Sequence, residues 1–425
     1  VNVVVIGAGI IGLTCAERLV RSGHSVTVVD ALGPTRDGAS FGNAGIIVPS
    51  HFVPLAAPGV VRQGLRWLLD RRSPFYVQPR LDRDLMAWGL AFMRSANAGH
   101  VARAAPLLAA LNLQSRGLYD ALIKRVGERT TLTGAGLLIV CRTEPGLHEE
   151  REVARRAEAL GLQVEALDAS EVAKRMGTPM NVVGGCHYLD DAHVSPSSLM
   201  ADLQEHLTRH GVTFAWDWRG ARIERSGHGV RVRDDASRSL DADTVVVAGG
   251  AATNGALAPL GVRLLLQGGR GYSFMVPVDE AVTPRIPAIL AEARVAVSPL
   301  PPGGMRVGGT LEIVPPSAKP SPARVDGIAT SAAAYFSDLS TAITDAGTTA
   351  DVWSGFRPCS PDGVPYIGRL PQQPEVIVAA GHAMMGVSLA PVTAEIVGAF
   401  VDGEQVPVSQ EAQRLLSPER FLRST

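Results

Sequence analysis

The alternation of apolar and polar positions divides the chain into recognisable elements. Val3 to Ile6 is an unbroken apolar run that stops at Gly7, as in a parallel strand buried on both faces. Ile10, Leu13, Ala16, Leu19 and Val20 then recur at helical spacing, and Gly23 closes that helix. Ser25 to Val29 predicts a second strand ending at Asp30. The opening is therefore a strand, a glycine turn, a helix and a strand.

The character changes after Phe52, where Pro54, Pro58, Pro74 and Pro79 interrupt the pattern. Helical spacing returns over Leu85–Arg94, Ala104–Val126, Glu150–Leu160 and Ala169–Met176, with a strand over Gly136–Val140. Ser195 followed by Pro196 reads as a capped start for a helix over Ser197–His210. Strands are predicted at Val212–Trp216 and Thr244–Ala248, with a small hairpin over Ala221–Glu224 and Val230–Val232. Gly271–Val276, Val295–Val297, Met305–Val307 and Ile377–Ala380 are further strands, and Ser331–Leu339 and Ala390–Val401 further helices. Pro315–Arg324 reads as a loop. Parallel-sheet signals lie at the beginning, middle and end, with other material inserted between them. This predicts two interleaved units: a dinucleotide-type α/β domain over 1–48, 190–262 and 355–425, and a second domain over 49–189 and 263–354.

Length and composition agree with that division. A chain of 425 residues exceeds one simple core. Forty basic and 41 acidic residues leave a formal charge of −1, so no global attraction for nucleic acid is expected. Cys15, Cys141, Cys186 and Cys359 form no CxxC pair and no zinc spacing with histidine; free thiols in a reducing compartment are expected, and no metal. The start has no basic stretch followed by an apolar one, so no signal peptide is expected, and no uninterrupted apolar run is long enough to span a bilayer. Gln63–Arg72 is basic and amphipathic around Trp67, Leu68 and Leu69. It reads as a helix packing between domains, with contact to a membrane surface as the alternative.

The chemistry begins at Gly7-Ala8-Gly9-Ile10-Ile11-Gly12, a GxGxxG that follows a strand and opens a helix. The first glycine makes the turn, the second lets backbone approach a pyrophosphate, and the third lets helix pack on strand. The helix start favours phosphate charge, and Asp30, with Ala31 beside it, stands where an acid binds ribose hydroxyls. FAD and NAD share this fingerprint, and three other segments favour FAD. Ser40, Asn43, Ala44 and Gly45 lie in a small-residue stretch just after the second strand. Ala248, Gly249 and Gly250 end a later apolar strand. Gly355-Phe356-Arg357-Pro358, with Gly381-His382-Ala383-Met384-Met385-Gly386 running on into Val387 and Ser388, forms a glycine-rich C-terminal return. Two other patterns mislead. Gly38-Ala39-Ser40-Phe41-Gly42 fits GxSxG but lacks the preceding strand and following helix of a nucleophile elbow. Asp190, Asp191, His187 and His193 fit no common metal spacing, and the two acids precede a helix start where acids suit the dipole.

With GAGIIG, SFGNAG, APG (57–59), LRWLLDRRSPF (65–75), GRGYS (269–273), RVGGTLE (306–312), GFRPCSPDG (355–363) and GHAMMG (381–386) in this order, the chain resembles the D-amino-acid oxidase superfamily, most of all its bacterial D-amino-acid dehydrogenase branch. The resemblance implies a Rossmann-like FAD-binding domain interleaved with an antiparallel-sheet substrate domain. It implies oxidation of a small amino or imino acid to an imine, which water hydrolyses. It also implies an electron acceptor, which is oxygen in an oxidase and a quinone or partner flavoprotein in a dehydrogenase. Relatives are often peripheral to the inner membrane and some act in hetero-oligomers, so a cytoplasmic or membrane-peripheral location and a homo- or hetero-oligomer are expected.

Residue by residue, Arg357 occupies the place of the arginine that binds substrate carboxylate in related glycine oxidases. The alternative is an ion pair with Asp362 that only fixes the loop. Two departures stand out: Met384 replaces a second arginine, and Ala296 falls where a pocket tyrosine lies. Both favour a bulkier or more apolar substrate, and a hydroxyproline-type D-imino acid is the leading expectation. Tyr272 is expected either to replace a lost hydroxyl or to be a half-buried strand tyrosine. His382 is expected beside the flavin, or as a structural donor. Cys359 does not align with the flavin-linking cysteine of sarcosine oxidases, so non-covalent FAD is expected.

Overall fold

The structure is a computed structural model and describes residues 1–60, 64, 72–227, 229–300 and 304–421. The basic stretch Gln63–Arg72 lies outside the described residues except for Gly64 and Arg72. The landmark LRWLLDRRSPF is likewise described only from Arg72 onward.

The strand Asn2–Ile6 is the centre of a six-stranded sheet. It pairs in parallel with Ser25–Val29 on one side and Thr244–Val247 on the other, with Val3 opposite Val26 and Thr244. Its side chains alternate between two cores, which explains the unbroken apolar run. Val3 and Val5 pack with Leu13, Ala16 and Leu19 of the helix Ile10–Arg21. Val4 and Ile6 pack with Ile223, Val230 and Val232 of a three-stranded sheet on the opposite face. Thr213–Ala215 closes one edge of the main sheet, and Gln373–Ala380 and Tyr366–Leu370 close the other.

A second, nine-stranded sheet is mostly antiparallel and runs in the order Trp353–Cys359, Gln267–Val276, Met305–Ile313, Val295–Pro299, Ala288–Leu290, Leu137–Cys141, Gly184–Tyr188, Val164–Asp168. Phe75–Val77 pairs off this path with Met305–Ile313. The expected boundary at 355 therefore falls inside a strand: Gly355 to Cys359 belong to this larger sheet, and the chain reaches the six-stranded sheet only at Tyr366. One face of the large sheet is covered by the helices Pro322–Ala333 and Ser340–Thr349, which pack on Tyr272, Phe274 and Val276.

Several element limits differ from the sequence reading, for local reasons. The helix read from Glu150 begins at Glu144, where the Thr143 hydroxyl caps Gly146 N and Pro145 sits in the first turn. The helix read at Ser331–Leu339 ends at Ala333 and begins at Pro322, inside the stretch read as a loop. There, proline's fixed φ starts a helix rather than breaking one. The C-terminal helix Gly386–Asp402 is apolar around its circumference because it is enclosed, packing against Ile10–Arg21 and the long helix Ala98–Val126.

Candidate active site

The glycine turn is built by contacts that only glycine permits. Gly7 has φ +108°, and a Cβ there would lie 2.4 Å from the Ala248 carbonyl oxygen. A Cβ on Gly12 would lie 1.8 Å from the Gly7 carbonyl, so helix and strand meet backbone to backbone. The helix opens at Gly9 with no side-chain cap and no acid in its first turn, which leaves N–H groups and the positive dipole end available to an anion. Asp30 closes this mouth, accepting from Ala8 N at 2.7 Å and Leu32 N at 2.8 Å, and its remaining lone pairs are free for hydroxyl donors. Ala31 follows it on the surface. Gly249 and Gly250 continue from Ala248 into a short 3-10 turn, Gly250 at φ +56°. These residues converge at the carboxyl ends of parallel strands, where α/β sheets bind ligands. A dinucleotide fits this cradle.

Sequence reading missed Arg36 here. Its Nε donates to the Ala8 carbonyl at 2.6 Å, and its guanidinium lies 5.0 Å from the Trp216 ring centroid. A lone arginine in a loop carries no sequence signal for this position.

The small-residue loop links the glycine turn to the C-terminal helix. Ser40 Oγ accepts from Ile10 N at 3.1 Å. Asn43 Oδ1 accepts from Gly45 N at 2.8 Å, while Ala44 packs beside Ile46, Val48 and Leu137. Gly45 has φ +75°, with the Val194 carbonyl 2.0 Å from where its Cβ would stand. Ile46–Ile47 pairs with Ala192–His193, and Val48 N donates to Ser388 Oγ at 2.8 Å. Ser388 in turn donates to Asn112 Oδ1, and the Tyr119 hydroxyl donates to the Val387 carbonyl at 2.5 Å. The helix at Gly386 also starts without a side-chain cap or a first-turn acid. It forms a second open N-terminus in the same region, preceded by the 3-10 turn of Ala383, Met384 and Met385.

Arg357 stands on the large sheet. It lies opposite Gly269, two residues from the pair Gly355–Gly271, and its guanidinium covers Gly271, where a Cβ would sit 1.8 Å from Nη1. Nη1 donates to the Thr310 carbonyl at 2.9 Å. That carbonyl faces Arg357 because the pairing of Gln267–Val276 with Met305–Ile313 slips between Arg270 and Tyr272, and Thr310 takes φ +67° at the bulge. A β-branched residue at positive φ is strained, and bulges of this kind re-aim groups beside functional sites. Among the described residues Arg357 has no carboxylate partner. Asp362 instead takes a bidentate contact from Arg420 at 2.8 and 2.9 Å, so the ion pair that fixes this loop is made by Arg420 and not by Arg357. Burial pulls the Arg357 guanidinium below its usual pKa, and it remains cationic because arginine starts so high.

Two residues with open alternatives have their side chains in structural roles. Tyr272 is fully buried on the other face of the sheet: it neighbours Gly271, and successive strand residues point to opposite faces. Its hydroxyl donates to Glu312 at 2.7 Å and accepts from Ser321 N at 2.9 Å. The His382 side chain is also buried, 3.0 Å from Thr393 Oγ1 within the C-terminal helix, and burial pushes its pKa down to about 3. Gly381, at φ +79°, turns the chain against Tyr366. Met384 is 44% exposed. Ala296 packs with Ile46, Val48, Leu137 and Ile289 in an apolar cluster. Asp191 holds the backbone in place. Its carboxylate accepts from Ser50 N at 3.0 Å and Ser50 Oγ at 2.5 Å, and burial raises its pKa to about 8.

Comparison with known proteins agrees with this geometry. The profile of the family described as FAD dependent oxidoreductase matches residues 2–399. A D-amino acid dehydrogenase of Cereibacter sphaeroides is 30% identical over 99% of this chain and 97% of that protein. D-amino acid dehydrogenase 2 of Ralstonia nicotianae is 31% identical over 92% of this chain and 93% of that protein. Among solved structures, glycine oxidase from Geobacillus kaustophilus superposes with a TM-score of 0.76 at 21% identity, covering 99% of both chains. Iminodiacetate oxidase from Chelativorans sp. BNC1 gives 0.69 at 19% identity, covering 96% of this chain and 97% of that one. The chain belongs to the DAO family of FAD dependent oxidoreductases.

Proposed function

We propose that this protein oxidises the α-carbon of a small D-amino or D-imino acid to the imine, with Arg357 holding the substrate carboxylate. The observation that carries the reading is the Arg357 guanidinium. It is half-buried, held by one backbone carbonyl, and without a carboxylate partner among the described residues. A planar cation in that state matches a carboxylate ligand bidentately. Bound FAD supplies the acceptor for the two electrons and the hydrogen that leave the α-carbon.

The chain's own residues supply position and exclusion of water rather than acid–base chemistry. Arg357 orients the substrate from the sheet. The open helix starts at Ile10 and Gly386 and the turn at Gly7 supply N–H groups and close backbone approach for the cofactor. Non-covalent attachment is supported by Cys359, which is fully buried, donates to the Arg357 carbonyl, and has its thiol pushed up to about 12 by burial. The apolar cluster at Ala296 and the thioether at Met384 favour a substrate with a ring or apolar side chain, such as a hydroxyproline-type D-imino acid.

The test is an anaerobic absorbance spectrum of the FAD-loaded protein before and after adding D-amino acids and cis-4-hydroxy-D-proline. Bleaching by one of them identifies the substrate. Readmitting air then distinguishes oxygen from a quinone or partner flavoprotein as acceptor. A yellow protein that none of them bleaches sinks the reading.

A further inference from the structure

We infer that Trp353, Ser273 and Arg306 are positioning residues that tie the flavin-binding loop of residues 37–45 to the strand carrying Arg357, and so set the distance between substrate and flavin. This inference rests on the FAD reading above.

Three side chains from three neighbouring strands reach this one loop. Trp353 Nε1 donates to the Asp37 carbonyl at 2.7 Å. Ser273 Oγ donates to the Gly42 carbonyl at 3.0 Å. Arg306 Nη1 donates to the Phe41 carbonyl at 2.9 Å and the Asn43 carbonyl at 3.1 Å. Register places them on one face: Ser273 pairs with Trp353 on one side and Gly308 on the other, and Arg306 pairs with Met275, two residues along from Ser273. The loop also lies flat against the indole. A Cβ on Gly42 would stand 2.0 Å from the Trp353 ring, and one on Gly355 2.3 Å from it. Consecutive carbonyls of residues 41, 42 and 43 are therefore all held by the substrate sheet, while the loop's ties to the glycine turn lie at Ser40.

Arg306 supports a fixed rather than incidental contact. Its charge is partly withdrawn from water and, among the described residues, has no ion pair; its two acceptors are the loop carbonyls. Losing them would leave a poorly solvated cation, so the loop stays where the sheet puts it. Trp353, Gly355 and Arg357 share that face at alternate positions. The strand thus separates the loop anchor from the carboxylate anchor by four residues, or about 13 Å. A rigid strand holding both ends is the arrangement expected where a displacement of about 1 Å can cost about 100-fold in rate.

The experiment uses W353F, R306M, R306K and S273A, with FAD affinity read by quenching of FAD fluorescence on adding apo-protein. It also records the bound-flavin absorbance spectrum, the anaerobic reduction rate and the substrate Kd. R306M should weaken FAD roughly 10-fold or more and alter the vibronic shape of the spectrum, with R306K recovering part of both. W353F, which keeps a ring but loses the N–H donor, should slow reduction about 10-fold while moving substrate Kd less than about 3-fold. S273A removes one hydroxyl without disturbing the core. Should R306M not fold, S273A carries the test with a smaller loss of FAD affinity in the same direction. Wild-type affinity, spectrum and reduction rate in W353F and S273A would overturn the inference while leaving the FAD reading intact. A wild-type protein that binds no FAD would overturn both.

Discussion

Two arginines, one buried and one half-buried, sit on opposite faces of the large sheet, and their surroundings differ in a way that separates structure from function. Arg324, on the helix covering one face, meets Glu312 at 3.3 Å, donates to both Ser73 oxygens at 2.6 and 2.8 Å, and lies over the Tyr76 ring. Arg357, on the other face, has the Thr310 carbonyl and no acid among the described residues. Arg324 is a complete internal ion pair whose surroundings already supply everything the guanidinium needs. Arg357 is a cation whose surroundings supply only the fold's share, leaving a fork of donors for a ligand. Burial of an arginine therefore does not mark a site; what sets Arg357 apart from Arg324 is a guanidinium given one backbone acceptor and no acid among the described residues.

The strongest way to break this comparison is to remove each cation in turn. Arg324→Met leaves Glu312 buried with its main partner gone, and side chains as enclosed as these two lose about 3–5 kcal/mol when one is removed. The expected result is a large fall in thermal and denaturant midpoints, with substrate KM near wild type in whatever protein remains folded. Arg357→Gln should do the reverse. It should lower kcat/KM about 100- to 1000-fold, roughly 3–4 kcal/mol, mostly through KM. Its melting temperature and bound FAD should stay close to wild type. A stability loss in Arg357→Gln as large as that in Arg324→Met would erase the distinction.

Tyr272→Phe sharpens the comparison at smaller scale. The hydroxyl belongs to the Arg324 side, donating to Glu312 and accepting from Ser321 N. Deleting it leaves the buried Glu312 carboxylate and the part-buried Ser321 N–H each short of a partner, a loss of about 1–3 kcal/mol in stability. KM should not move. A raised KM with unchanged stability would return Tyr272 to the substrate pocket.

The contrast also shows what is legible in the residues. GAGIIG and Asp30 are, because the motif is contiguous and one of its demands is local: Gly12 meets the Gly7 carbonyl, while the Gly7 contact with Ala248 comes from a distant strand. The family-matched arginine at 357 is legible as a residue but not as a geometry. Its setting depends on Gly271 lying under it and on the Thr310 carbonyl turning toward it, both set by long-range strand pairing. Nothing in a threonine announces φ +67°. Parity alone puts Tyr272 with Arg270 and Phe274 rather than with Gly271. Which face receives the loop of residues 37–45 becomes visible only when Ser273 reaches Gly42 from a residue 231 positions away. Helix limits read from sequence fail where proline looks like an interruption. Pro145 and Pro322 each sit in a first helical turn instead.

The smallest expected effect belongs to His382, and it tests whether this side chain does acid–base work. The imidazole is 2% exposed, touches Thr393, and titrates near 3 rather than at the ordinary histidine value of 6.5 because burial disfavours the charged form. Between those values the unfolded chain binds a proton that the folded chain does not. His382 therefore costs stability progressively as pH falls from 6.5 toward 3, and nothing above 6.5. His382→Gln retains a nitrogen able to reach Thr393 and cannot titrate. At about pH 7.5 its stability should lie within about 1 kcal/mol of wild type, and its decline between about pH 6.5 and about pH 4 should be shallower. The pH profiles of kcat and kcat/KM should keep their shape, since a group that stays neutral throughout the working range adds no titrating limb to them. Loss of one limb of that profile in His382→Gln would make His382 a catalytic base and would require its ring to leave Thr393 during turnover.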